Sequence, residues 1–168
     1  MMAETPTTPR LSLLLLGLQT AIQAINALGS YALNFSPEGV VQIGEPTPKD
    51  GPVPAVWIWC SEVVSSDALE AGSFYRNPRV RIEMHLPASD STNQNRHLAA
   101  INALHELLQA LEIDRQTGEG IYANSDVGLI EMRMTSGKFS GHRTTDTGPV
   151  RVHVELAPFY NVANGMGL

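Results

Sequence analysis

The chain has one cysteine, Cys60, among 168 residues, and it has no run of lysine or arginine. A single thiol excludes an intrachain disulfide and a zinc site built on several cysteines. The composition is therefore compatible with a reducing compartment, and we expect Cys60 to be a small buried hydrophobic residue. Charged residues make up only 17% and the formal net charge is -6. An acidic chain without a basic stretch lacks the electrostatic footprint that grips a phosphate backbone, which argues against nucleic-acid binding.

The motifs of common catalytic sites are also missing. The segment Gly118-Glu119-Gly120 lacks the further glycine and the basic residue of a phosphate-binding loop, and no Gly-x-Ser-x-Gly nucleophile elbow occurs. His97 and His105 are eight residues apart, which is too far along a helix for joint metal ligation. We therefore expect no cofactor, no metal ion and no enzymatic activity.

Two further histidines, His85 and His153, fall on the polar side of alternating segments. There each could approach a carboxylate such as Glu83 or Glu155, and a solvated sheet face is the favoured interpretation. A rival hypothesis from another class is a small hydrolase that uses Ser140, His142 and Asp146.

The length and composition indicate one domain. A chain of 18.2 kDa is long enough to bury about 70% of its unfolded surface and too short for two domains. The polar residues 1–9 are expected to be a flexible arm, residues 10–161 the domain, and residues 162–168 a C-terminal tail. The low charged share leaves neutral surface for contacts between subunits.

From Arg10 onward, apolar residues recur with helical spacing: Leu11, Leu14, Leu15, Leu18, Ile22, Ile25 and Leu28. This pattern predicts an amphipathic helix that ends at Gly29 in a left-handed cap. A leucine run after Arg10 also resembles a signal peptide, and a secreted module cleaved near Ala27 is the alternative. The charge of Glu4 offsets that of Arg10, and polar residues interrupt the apolar stretch, so an amphipathic helix is favoured over a signal peptide. A membrane span would need about 20 apolar residues, and the uninterrupted apolar run is shorter than that.

The middle of the chain alternates between turns and strands. A turn at residues 36–39 precedes a short strand, Val40 to Ile43. Four prolines between residues 45 and 54 forbid a helix or a central strand, so this segment is expected to be extended. Apolar and polar residues then alternate from Ala55 to Val64 and from Arg79 to Leu86, and both stretches are predicted strands.

A second helix follows Pro87. Ser91 and Gln94 have the spacing of a capping box that would open it. The predicted buried stripe consists of leucines and one isoleucine: Leu98, Ile101, Leu104, Leu108 and Leu111.

In the last third of the chain, the sequence pattern predicts a loop at residues 118–126 and then an antiparallel hairpin, with strands around Ile130 to Met134 and Val150 to Leu156. The connection from Thr135 to Pro149 is rich in Gly, Ser and Thr, and a link of that length usually has a function or is mobile. Together the elements predict an α+β fold: a mainly antiparallel mixed sheet of about four to five strands, with two helices packed on one face.

Aromatic residues are only 6% of the chain, and we interpret several of them as partner contacts because tryptophan and tyrosine are enriched at interfaces. Of Trp57 and Trp59, one is expected in the core and the other outward. A segment linking two strands contributes further candidates, and the Gly-rich connection contributes three more. The predicted partner-binding residues are Trp57, Trp59, Phe74, Tyr75, Arg76, Lys138, His142 and Arg143.

The order of these elements resembles the tail terminators of long-tailed bacteriophages, the minor tail protein U-like group. The shared features are the amphipathic N-terminal helix, the Pro-rich link, the strand Arg79 to Leu86, the second helix His97 to Leu111, and the terminal strand that ends Val150-Arg151-Val152-His153-Val154-Glu155-Leu156. The likeness extends from about Leu11 to Tyr160 and is one of element order and size. The Pro-rich segment and the connection Thr135 to Pro149 depart from it.

The resemblance implies a structural virion protein of the tail and neck region, assembled in the host cytoplasm. It implies a homo-oligomeric ring, commonly a hexamer, that stops the tail tube and joins it to the head connector. The partners would be copies of the chain, the tail tube protein and the connector or neck protein, with DNA only passing through the lumen and no membrane. The net charge of -6 is compatible with DNA sliding through without sticking. Another neck or tail-completion protein of the same particle is the nearest alternative.

Overall fold

A computed structural model describes residues 10–29, 31–46, 53–65, 73–87, 93–112, 119–120, 129–141 and 148–163. The elements in chain order are α1 (Arg10–Gln23), a 3-10 turn (Ala27–Gly29), β1 (Val41–Ile43), β2 (Ala55–Ser65), β3 (Ser73–Leu86), α2 (Asn93–Ala110), β4 (Glu119–Gly120), β5 (Leu129–Ser140) and β6 (Val150–Ala163). The predicted α+β class and the order of the long elements are confirmed. The expected arm, the expected capping serine and residues 47–52 of the Pro-rich link lie outside the described residues.

The strands form one mixed sheet in the order β1-β2-β3-β6-β5-β4. β1 pairs with β2 in parallel, and all other pairs are antiparallel, as predicted for a mainly antiparallel sheet. The sixth strand, β4, is two residues long and lies within the segment expected to be a loop. β3 and β6 are the central strands, so the chain segments that carry the clearest alternation form the middle of the sheet.

The core contains the even-numbered positions of the central strands. Val80, Ile82 and Met84 of β3 are fully buried, and β6 contributes Val150, Val152, Val154 and Leu156. Buried residues of both helices, including Leu14 and Leu107, belong to the same cluster. Each fully buried aliphatic side chain contributes about 1.5–3 kcal/mol to folding, so this cluster dominates the stability of the domain.

The first helix is shorter than predicted. It ends at Gln23, and Leu28, expected on its buried side, is 98% exposed. Asn26 explains the early end, because its side-chain oxygen accepts hydrogen bonds from the backbone N–H groups of Leu28 and Gly29 at 2.9 and 3.2 Å. Such local bonds compete with helical ones. The left-handed cap expected at Gly29 is therefore wrong, since the chain leaves the helix earlier and Gly29 has no positive φ.

The second helix has the predicted extent but a different buried face. Ala100, Ala103 and Leu107 are fully buried, whereas Leu98 and Ile101 are 46% and 41% exposed. Leu108 and Leu111 are buried as predicted, and Leu104 is half-buried. Small alanines allow the helix backbone to approach β5 and β6 closely, which turns the two large residues at positions 98 and 101 outward.

The connection between β5 and β6 is shorter than predicted, because residues 135–140 continue β5. Gly141 ends the strand with a φ of 71°, a left-handed conformation that favours glycine. A Cβ at this position would clash with the carbonyl oxygen of Pro149. The guanidinium of Arg96 is buried and donates to the carbonyl oxygens of Gly141 at 2.7 Å and Gly148 at 2.9 Å. Arg96 thus fixes both ends of the connection.

β3 and β6 are also longer than predicted. β3 begins at Ser73, so Phe74, Tyr75 and Arg76 belong to a strand rather than to a linking segment. Their backbones pair with residues 160–162 of β6, and this pairing carries β6 on to Ala163, past the expected end of the domain. The two long strands therefore satisfy each other's backbone hydrogen bonds in a region where the sequence shows no clear alternation.

Two side chains tie the helices to the rest of the fold. Glu106 of α2 accepts hydrogen bonds from the backbone N–H groups of Ala32 and Leu33 at 2.7 and 3.0 Å. Gln19 of α1 donates to the carbonyl oxygen of Val41 in β1 at 3.0 Å. In the described part of the chain, neither helix combines the length and the apolar character that a membrane span requires.

Candidate functional site

The odd-numbered positions of β2, β3 and β6 form a second surface, here called the polar sheet face. Its members are Trp57, Trp59, Arg81, Glu83, His85, Arg151, His153 and Glu155, and Lys138 of β5 joins them. One cross-strand row runs from Trp57 through Glu83 and His153 to Lys138, which spans about 14 Å at the usual strand spacing. Strand register thus brings three of the predicted partner residues, Trp57, Trp59 and Lys138, to one face.

Glu83 is the centre of this face. Its Oε1 accepts a hydrogen bond from Nε2 of His85 at 2.6 Å, and its Oε2 lies 3.4 Å from Nδ1 of His153. The prediction that each histidine approaches a carboxylate is confirmed, and the same carboxylate serves both. Because both oxygens of Glu83 are engaged within the chain, this group is placed to orient its neighbours rather than to abstract a proton from a substrate.

Each of these histidines also packs against a tryptophan. The rings of Trp57 and His85 meet edge to face with their centroids 4.6 Å apart, and those of Trp59 and His153 do so at 6.0 Å. His85 is buried, so the expectation of a solvated face is wrong at this position. The aromatic contacts and the two bonds to Glu83 fix the ring positions and make this part of the face rigid.

The assignment of the two tryptophans to opposite sides is wrong. Residues i and i+2 of a strand point to the same face, so Trp57 and Trp59 lie together on the polar sheet face. Trp57 is only 4% exposed, yet it is not part of the main core cluster, and Trp59 is half-buried. Both rings therefore belong to the surface around Glu83.

A second polar link lies next to this cluster. Glu155 accepts a hydrogen bond from Nε of Arg81 at 3.3 Å and one from the hydroxyl of Thr135 at 3.0 Å. It joins three adjacent strands, β3, β6 and β5. Exposed pairs of this kind contribute about 0–1 kcal/mol, so their main effect is to fix the direction of the side chains.

Lys138 lies on the polar sheet face, and the structure describes the other predicted partner residues only in part. Lys138 is exposed on β5, and within the described residues it has no ion-pair partner. His142 and Arg143 lie outside the described residues. For Phe74, Tyr75 and Arg76 the structure describes the backbone alone, in β3.

The sequence pattern missed a set of exposed aliphatic side chains on the two helices, here called the helical surface and defined by Leu16 of α1 and by Leu98 and Ile101 of α2. All three are between 41% and 48% exposed. Residues 11–23 of α1 carry no formal charge, and α2 has only Arg96, which is buried, and Glu106, which is bonded to backbone N–H groups. An exposed helix face is normally rich in charge, and these two helices depart from that pattern over the residues named here. Helical spacing of Ala100, Ala103 and Leu107 was the signal that could have revealed it.

Cys60 is half-buried in β2, where a bulge follows it, so the expectation of a buried thiol is only partly met. Its Sγ lies 3.3 Å from the carbonyl oxygen of Glu62. Burial raises the pKa of the Cys60 thiol, and the contact with Glu62 opposes this shift. A thiol with a raised pKa is a poor nucleophile at neutral pH.

The described residues contain no group of three or more His, Cys, Asp or Glu side chains placed to hold a metal ion. Of the hydrolase candidates, Ser140 ends β5 and is exposed opposite Arg151, while His142 and Asp146 lie outside the described residues. Comparison with known protein families finds no family model that matches this chain. Comparison with curated proteins finds no significant match either.

Proposed function

We propose that this chain is a structural subunit of a bacteriophage particle, a tail terminator that forms a ring on the tail tube and joins it to the head connector. The observation that carries the proposal is the helical surface. Its aliphatic side chains are exposed, residues 11–23 of α1 carry no formal charge, and both charged residues of α2, Arg96 and Glu106, are hydrogen-bonded within the chain. A surface of that kind is costly for a chain that remains alone and is suited to contact with other subunits.

The polar sheet face supports the same conclusion. Its carboxylates, Glu83 and Glu155, accept bonds from neighbouring side chains in the sheet. Such pairing holds a surface in a fixed shape, which an assembly needs because each subunit must present the same surface to the next. The element order that resembles tail terminators is the second support.

A different neck or tail-completion protein of the same particle is the nearest alternative, because it would need a subunit surface of the same kind. The small hydrolase is a weaker candidate. The position of the chain in the particle would distinguish a tail terminator from another neck or tail-completion protein. Turnover of a substrate would be needed to support the hydrolase.

The experiment compares the full chain with the double variant Leu98→Glu and Ile101→Glu. Particle mass is measured by light scattering after size-exclusion chromatography, and binding to purified tail tubes is imaged by negative-stain electron microscopy. We expect wild-type rings, free or on tube ends, and loss of both in the variant, because each carboxylate would be desolvated in the contact.

Leu28→Glu is the matched control, since it adds a charge at an exposed leucine outside the helical surface and should leave assembly unchanged. Circular dichroism of all variants should match the wild type. Normal rings in the double variant would contradict the assignment of the helical surface, and a wild type that neither associates nor binds tubes would contradict the function.

A further inference from the structure

We draw no further inference here: the strongest candidate, the cluster of Glu83, His85 and His153 on the polar sheet face, brings each histidine next to both the shared carboxylate and a cation opposite it on the neighbouring strand, and nothing in the structure shows which of these two contacts proton uptake would favour.

Discussion

Replacing Arg96 with alanine removes the two hydrogen bonds that fix the ends of the β5–β6 connection. Arg96 is 6% exposed, and its guanidinium donates to the carbonyl oxygens of Gly141 and Gly148 at 2.7 and 2.9 Å. A hydrogen bond from a charged donor contributes about 1.5–3 kcal/mol. Relief from burying a cation offsets part of the loss, so we expect a net destabilisation of about 2–4 kcal/mol.

The assay is urea unfolding followed by circular dichroism, with thermal unfolding as a second measure. For a domain of this size the expected loss lowers Tm by about 5–12 °C. Arg96→Lys should lose less, because an ammonium keeps the charge but lacks the fork that reaches both carbonyl oxygens. Arg151→Ala, at an exposed position, should stay within about 0.5 kcal/mol of the wild type. A change that small in Arg96→Ala would show that the two hydrogen bonds do not stabilise the fold.

Three further predictions concern single positions. In urea unfolding, Gly141→Ala should destabilise the fold much more than Gly39→Ala. Both glycines have positive φ, and the left-handed backbone alone should cost Gly39→Ala about 1–2 kcal/mol, but only at Gly141 would the new Cβ also meet a carbonyl oxygen. Equal losses of stability in the two variants would contradict this. Glu106→Ala should lower the free energy of unfolding by about 1.5–3 kcal/mol in the same assay, and Glu106→Gln, which keeps one acceptor oxygen, should lower it less. A larger loss in Glu106→Gln than in Glu106→Ala would count against the two hydrogen bonds to backbone N–H groups. Because burial raises the pKa of the Cys60 thiol, a smaller fraction of it is thiolate than in a free thiol at the same pH. Cys60 should therefore react with iodoacetamide more slowly than free cysteine, and its rate should increase as the pH rises. A faster reaction than that of free cysteine at pH 7 would contradict the raised pKa.

Strands with strict alternation were predictable because period two is a local property. Val80, Ile82 and Met84 form the core face of β3 as the sequence indicates. The ends of β3 and of β5 were not predictable, since residues 73–78 and 135–140 lack alternation. These segments are strands because neighbouring strands pair with their backbones, which is a tertiary effect.

The buried face of α2 could not be predicted from the positions of its leucines alone. A stripe through Leu98 and Ile101 and a stripe through Ala100 and Ala103 both have helical spacing. The structure buries the alanines because the helix lies close to the sheet, and Arg96 anchors it at that rotation. Weighting by hydrophobicity favoured the larger side chains, and the exposed residues Leu98 and Ile101 were consequently assigned to the core.

The polar sheet face was partly predictable. Alternation placed His85 and His153 beside carboxylates, but that Glu83 bonds to both depends on the register between β3 and β6. The pairing of Trp59 with His153 likewise joins strands that are not neighbours. Register across three strands is set by the whole sheet and cannot be deduced from one strand.

We propose that this chain is a ring subunit at the end of a tail tube. A cryo-electron microscopy map of the particle that is proposed to contain this chain tests the proposal most directly. We expect a ring of copies at the head-proximal end of the tube, with the helical surface of each copy in contact with a neighbouring protein. A tube end built entirely from other proteins, or copies whose helical surface faces solvent, would contradict it.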